Sequence, residues 1–222
     1  DYTIGLALSE VFAYCESPQS YTAKDASVYL DTGLLFRLFG IDSSNRADSY
    51  VSFVRNIQKL GMRVKVYDHT VNEMIGIIEG SKPWINNPNY DATLSSEATY
   101  YFVSNQWSID QIDEFSGNVR TRLKRDFNIT IDNMAYPKVE DIQTITEANI
   151  KEMIIAEYKD SNPDVQLDDI DYSINQDAKS IFFTQHKNNT VVPYHLNDVK
   201  NIFITANRSL ARVGYKISHD YA

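Results

Sequence analysis

The spacing of apolar and polar positions divides the chain into strands and helices. Ile4 to Tyr14 puts Ile4, Leu8, Val11 and Phe12 on one face at helical spacing, and the polar stretch Ser17-Pro18-Gln19-Ser20 ends it. Ser27-Val28-Tyr29-Leu30-Asp31 is a short apolar run that predicts a buried strand closing on an acid. Thr32 to Phe39 continues as a helix rich in leucine and phenylalanine. Ser49 to Leu60 predicts a second helix, stopped by Gly61. Val64 to Tyr67 predicts another strand and Thr70 to Glu79 another helix. Strands alternating with helices argue for a parallel sheet covered by helices.

The middle of the chain has a different pattern. Gly80 to Tyr90 holds Pro83, Pro88 and several asparagines, and reads as a loop. Ser95 to Phe127 predicts two helices, the second opened by a capping box from Ser108 to Gln111. Ala148 to Lys159 predicts a further helix, acids crowd Asp164 to Asp171, and Asn175 to Thr184 reads as helix again. Val199 to Thr205 predicts a strand and Arg208 to Val213 a short closing helix. One strand cannot stand alone, so this last one belongs with the first sheet. The expected fold is α/β, a three-layer α/β/α arrangement around a central, mostly parallel sheet. Residues 1–222 form one domain in this reading, with a mainly helical insertion at about 83–163.

Composition narrows the picture. The chain has 222 residues, 43% apolar and 12% aromatic, enough for one good core. No apolar run reaches the length of a membrane span. Cys15 is the only cysteine, which rules out an intramolecular disulfide and a cysteine zinc cluster and fits a cytoplasmic setting. The first residue is Asp1 and not Met, as in a piece of a longer protein or a processed chain. The formal net charge of -9 runs against nucleic-acid binding through the global field, although acids gathered at a metal site would account for part of it.

Four positions share a context. Asp31 ends the first strand, Glu73 falls in the first turn of the helix after the second strand, Asp177 in the first turn of a later helix, and Asn207 just past the last strand. In a parallel α/β sheet the residues that follow the strands gather at one edge, where ligands bind. Three carboxylates there suit Mg²⁺ or Mn²⁺, which take hard oxygen ligands. Each acid also has a structural reading. Thr70-Val71-Asn72-Glu73 is a capping box, Asp31 can cap the next helix, and Asp177 can complement a helix dipole.

Four blocks, in order, resemble PIN domains. Val28-Tyr29-Leu30-Asp31-Thr32-Gly33-Leu34-Leu35 resembles their opening strand and acid, and Val64 to Glu73 their second motif. Gln176-Asp177-Ala178-Lys179-Ser180-Ile181 resembles the helix that carries their third acid. Ile202-Phe203-Ile204-Thr205-Ala206-Asn207-Arg208-Ser209-Leu210-Ala211 resembles their last motif. Asn207 stands where many members have a fourth acid, and about a hundred residues separate Glu73 from Asp177, far more than an ordinary connection.

The resemblance implies a metal-dependent endoribonuclease. Asp31, Glu73 and Asp177 would be catalytic residues and ligands of Mg²⁺ or Mn²⁺, and the products would carry 5′-phosphate and 3′-hydroxyl ends. Thr32, Thr205 and Asn207 would be auxiliary, orienting an acid or holding a water or a phosphate. RNA or another single-stranded nucleic acid is the expected partner, with room for a protein partner or further domains outside the chain. Arg120, Arg122, Lys124 and Arg125 form the densest basic run and the expected nucleic-acid contact. Tyr100, Tyr101, Phe102 and Trp107 precede them, and such rings can stack unpaired bases. A solvated helix face over core aromatics is the structural reading of the same residues, since charge runs are usually that. His69, His186 and His195 are too scattered for a metal site. A catalytically weak PIN-like module that binds RNA or a protein stands as the alternative. An aspartyl phosphatase would need an acid where Gly33 stands.

Overall fold

A computed structural model describes residues 26–41, 47–136, 145–188 and 200–220. The helix expected from Ile4 to Tyr14, Cys15, His195 and the start expected for the last strand lie outside them. Four strands, β1 (Ser27–Leu30), β2 (Arg63–Tyr67), β3 (Thr130–Asp132) and β4 (Asn201–Ile204), form one sheet in the order β3-β2-β1-β4. Every pairing is parallel, with Val28 opposite Val64 and Ile202, and Val66 opposite Ile131.

Eight α-helices cover the sheet among the described residues. They are α1 (Thr32–Leu38), α2 (Ala47–Lys59), α3 (Asp68–Gly80), α4 (Glu97–Ser104), α5 (Ile109–Phe127), α6 (Glu147–Ser161), α7 (Leu167–Lys187) and α8 (Arg208–Asp220). Side chains alternate across a strand, so each strand supplies two cores. Val28, Leu30, Val64 and Val66 face α1 to α5 and pack with Leu35, Met74, Phe102, Ile112 and Leu123. Tyr29, Tyr67 and Phe203 face the other way, against Ile150, Ile154, Ile174, Phe183 and Val213 of α6 to α8. The result is the three-layer α/β/α arrangement expected from the strand and helix pattern.

The chain steps from β1 outward to β2 and β3, then returns to the far side of β1 as β4. Crossovers between parallel strands keep a right-handed sense, so reversing the direction moves the helices to the opposite face. That is why α1 to α5 share one layer and α6 to α8 the other. The reversal leaves a crevice beyond the carboxyl ends of β1 and β4, where the two sets of connections diverge.

The structure adds a strand to the middle segment and moves two helix starts. The segment expected as an insertion supplies β3 to the central sheet, and Phe102, Ile112, Val119, Leu123 and Ile129 to the same core as β1 and β2. It is part of the domain's framework. The helix expected from Thr70 starts at Asp68, without a side-chain cap, so Glu73 lies in its second turn. The helix expected from Asn175 begins at Leu167 and runs 21 residues, which puts Asp177 near its middle. Leu167, Ile170, Ile174, Ala178 and Ile181, spaced three or four apart, carry that longer helix against the core. Among the described residues, no helix is long and apolar enough to cross a membrane.

Candidate active site

Asp31 follows the last residue of β1 and caps α1, its Oδ1 accepting from the Leu34 amide at 2.7 Å. Capping alone would use one oxygen. The other accepts from the Thr205 hydroxyl and from the Ala206 amide at 3.1 Å, both just past β4. The residue is 6% exposed, and burial raises its pKa against the opposing pull of these donors.

Glu73 reaches the same crevice from α3. Its Oε1 accepts from Ser173 on α7 and its Oε2 from Thr32 at the start of α1. It makes no capping bond, so the capping-box reading is set aside. Burial raises its pKa, and the nearby Asp31 charge raises it further.

Asp177 differs from both. It has no hydrogen-bond partner among the described residues, and burial, then Glu73 and Asp31, push its pKa up to about 8. Sitting mid-helix, it has no role at a helix terminus. Three acids from three separate segments thus line one pocket of about 350 Å³ at the crevice beyond β1 and β4.

The structure brings further side chains to this pocket that sequence reasoning did not single out. Arg37 of α1 lines it, with its guanidinium bonded to the Tyr50 hydroxyl at 3.1 Å and lying over the Tyr50 ring. Tyr158 of α6 lines it too, its oxygen accepting from the Asn207 amide. The preceding residue, buried Glu157, ties α6 to α8 through Lys216 and Arg212. Arg37 and Tyr158 sit on ordinary helix faces in sequence, and only the tertiary fold reveals their shared destination.

The auxiliary positions have specific partners. Thr32 and Thr205 each donate to an acid. The side-chain oxygen of Asn207 accepts from the Ser209 amide at 3.0 Å and the Leu210 amide at 3.4 Å, which caps α8. That oxygen is therefore committed to the helix and not turned toward a bound water.

The donor chemistry of the pocket, three carboxylates with hydroxyls around them, is the kind a hard divalent cation takes. Asp31 and Glu73 are held by neighbouring hydroxyls and amides. Among the described residues no three His, Cys, Asp or Glu side chains converge closely enough to hold a metal ion as they stand. The fit is one of chemistry and location, not of a preformed cage.

The basic run on α5 does not form one surface. Arg120 bonds Asp68 at 2.7 Å and Asn72. Arg122 lies over the rings of Phe39 and Phe115 and, like Arg125, pairs with Asp126. Lys124 is exposed with no ion pair among the described residues. Arg120 and Lys124 share one side of the helix and Arg122 and Arg125 another, which divides the four charges between two faces. The aromatic residues before the run, Phe102 and Trp107, pack with Phe115 in the core, although Tyr100 is exposed. No family model, no curated protein and no solved structure matches the chain.

Proposed function

We propose that this chain is a divalent-cation-dependent endoribonuclease of PIN-like arrangement, with Asp31, Glu73 and Asp177 as its central acids. One observation supports the reading most. Asp177 presents a carboxyl with no hydrogen-bond partner among the described residues to a pocket it shares with two buried acids, at the crevice where open parallel sheets bind ligands. Three desolvated carboxyls in one pocket cost stability when ionised, and that cost supports a functional cause. Mg²⁺ or Mn²⁺, when bound, supplies the charge that lets all three ionise, acidifies a water and stabilises the leaving oxygen.

The chain's own groups have distinct tasks in this reading. Leu34, Thr205 and Ala206 fix Asp31, and Thr32 and Ser173 fix Glu73, so both acids are held in orientation before substrate arrives. Asp177 is free to turn toward a ligand. Arg37, steadied by Tyr50, is placed to meet a non-bridging phosphate oxygen. Tyr158 accepts from Asn207, which leaves its own hydroxyl hydrogen to donate to the phosphate. Attack by water on phosphorus with loss of the 3′-oxygen leaves 5′-phosphate and 3′-hydroxyl ends.

A second reading, a module that binds RNA or a protein without cutting, draws on the lack of a convergent three-ligand set among the described residues. Incubation with single-stranded RNA separates the two. Cleavage is expected with Mn²⁺ or Mg²⁺, ending in 5′-phosphates, and it should vanish in chelator or on Asp31→Asn, which keeps shape and removes charge. Full activity in excess chelator, or equal cleavage by the variant, would sink the nuclease reading.

A further inference from the structure

A second, larger pocket of about 520 Å³ opens beyond the carboxyl ends of β2 and β3. It lies beside the acidic one, because two helices run through both. On α3, Glu73 belongs to the acidic pocket and His69, one turn earlier on the same face, to the second. On α7, Ser173, Asp177, Ser180 and Thr184 form a stripe along one face. Ser173 bonds Glu73, Ser180 bonds His69 and Thr184 bonds Tyr67. The polar seam between α3 and α7 therefore leads from one pocket to the next.

The wall of the second pocket is aromatic. Tyr136 is 58% exposed, yet its ring stands edge-on to Phe183 at 5.1 Å and its hydroxyl bonds Glu147. An exposed ring held at both ends is a fixed platform. His69 continues the wall, stacked on Tyr67, and with its pKa lowered to about 4 it is neutral at physiological pH.

The charges leave a surplus of cations. Asp68 is bonded to Arg120 and Asn72. Asp132 accepts from Tyr29 at 2.6 Å and Lys187 at 3.0 Å, and lies 3.6 Å from Lys65. Both carboxylates of the pocket are thus compensated. Lys179, two residues past Asp177 on α7, lines the pocket and has no ion pair among the described residues.

We propose that this pocket seats an unpaired nucleotide of the substrate strand, with its base on Tyr136 and its phosphate on Lys179. The inference rests on the nuclease reading for the strand's continuation into the acidic pocket. A fixed exposed ring next to a free cation is the pairing that single-stranded nucleic acids exploit, and the volume suits a nucleotide. In a chain of net charge -9, Lys179 puts into this pocket a cation that no carboxylate pairs among the described residues.

The test is fluorescence anisotropy with a labelled eight-residue oligouridylate in EDTA, where no cleavage competes. Wild type should bind. Lys179→Ala should weaken binding about fivefold and flatten its salt dependence by about 0.7, the value for one phosphate contact on a single strand. Tyr136→Ala should weaken binding about tenfold, as loss of one stacked base does. Both positions line an open pocket, and unchanged melting temperatures would show that the variants fold. Affinity at the wild-type level in both variants overturns the proposal, as does no binding by wild type. Competition by an oligoglutamate of equal charge, as effective as unlabelled oligouridylate, also overturns it and assigns the pocket to acidic peptide. Binding with both expected losses, but no cleavage once Mn²⁺ is added, upholds the subsite and removes the nuclease reading. Cleavage by wild type with affinity indifferent to both substitutions does the reverse.

Discussion

At the scale of one residue, Asp177 ties the proposed site to stability. Its pKa of about 8 in the folded protein lies above the ordinary value of 3.8. The native state therefore keeps a proton that the unfolded chain releases between about pH 4 and pH 8. Stability contributed by this group is full at low pH and is lost as pH rises across that window. Calorimetry without added metal should show the melting temperature falling from pH 5 to pH 8. Asp177→Asn, which cannot ionise, should melt about 2–4 °C higher than wild type at pH 8, equivalent to about 1 kcal/mol for a chain of this size. A variant that melts at or below wild type there would mean that Asp177 is not held against its own charge. Asp31 was legible in the sequence because an acid closing an apolar strand is poorly explained by strand propensity. Glu73 and Asp177 were singled out too, but were placed about half a turn and two turns too near their helix starts. Arg37, Tyr158 and Ser173 left no local signal. Each is an ordinary residue of an amphipathic helix until the fold aims it at the crevice.

Among the elements, β3 and α5 decide how the middle of the chain relates to the rest. β3 has only three residues on the sheet edge, and its run Ile129-Thr130-Ile131 is too short to stand out from the helix before it. Without that strand the segment reads as a helical appendage. With it, α5 becomes the crossover cover over β2 and β3, closed by the capping box at Ser108 and Gln111 and by Asn128 in the left-handed region at its end. Leu123 of α5 is fully buried in the core that holds Val28 and Leu30. Leu123→Ala should cost about 2–5 kcal/mol and move one unfolding transition, seen alike by circular dichroism and by the intrinsic fluorescence of Trp84 and Trp107. An early transition confined to the tryptophan signal, with the remainder unfolding as in wild type, would mean that the segment folds as a separate unit. The same logic applies to the basic run. A count of charges in sequence takes no account of direction, and α5 sends Arg120 and Arg122 to different surroundings.

For the whole molecule, topology does what no single motif does. The order β3-β2-β1-β4 forces the helical layers to change sides next to β1, and the acids arrive at that point from both layers and from the end of β1. Strand and helix order made the three layers and the parallel sheet legible. The exact strand order was not, because it depends on which edge the last strand joins, and that is settled by packing of α6 to α8 on Tyr29, Tyr67 and Phe203. The net charge of -9 is compatible with a nuclease only if part of it is gathered where cations and substrate meet. The rate of single-stranded RNA cleavage by Asp177→Asn, compared with wild type in saturating Mn²⁺, tests that claim most directly. The side chain makes no hydrogen bond among the described residues, so its loss cannot be charged to a broken framework. The expected result is a loss of activity of about 100-fold or more in a protein at least as stable as wild type. Cleavage at the wild-type rate would contradict the account.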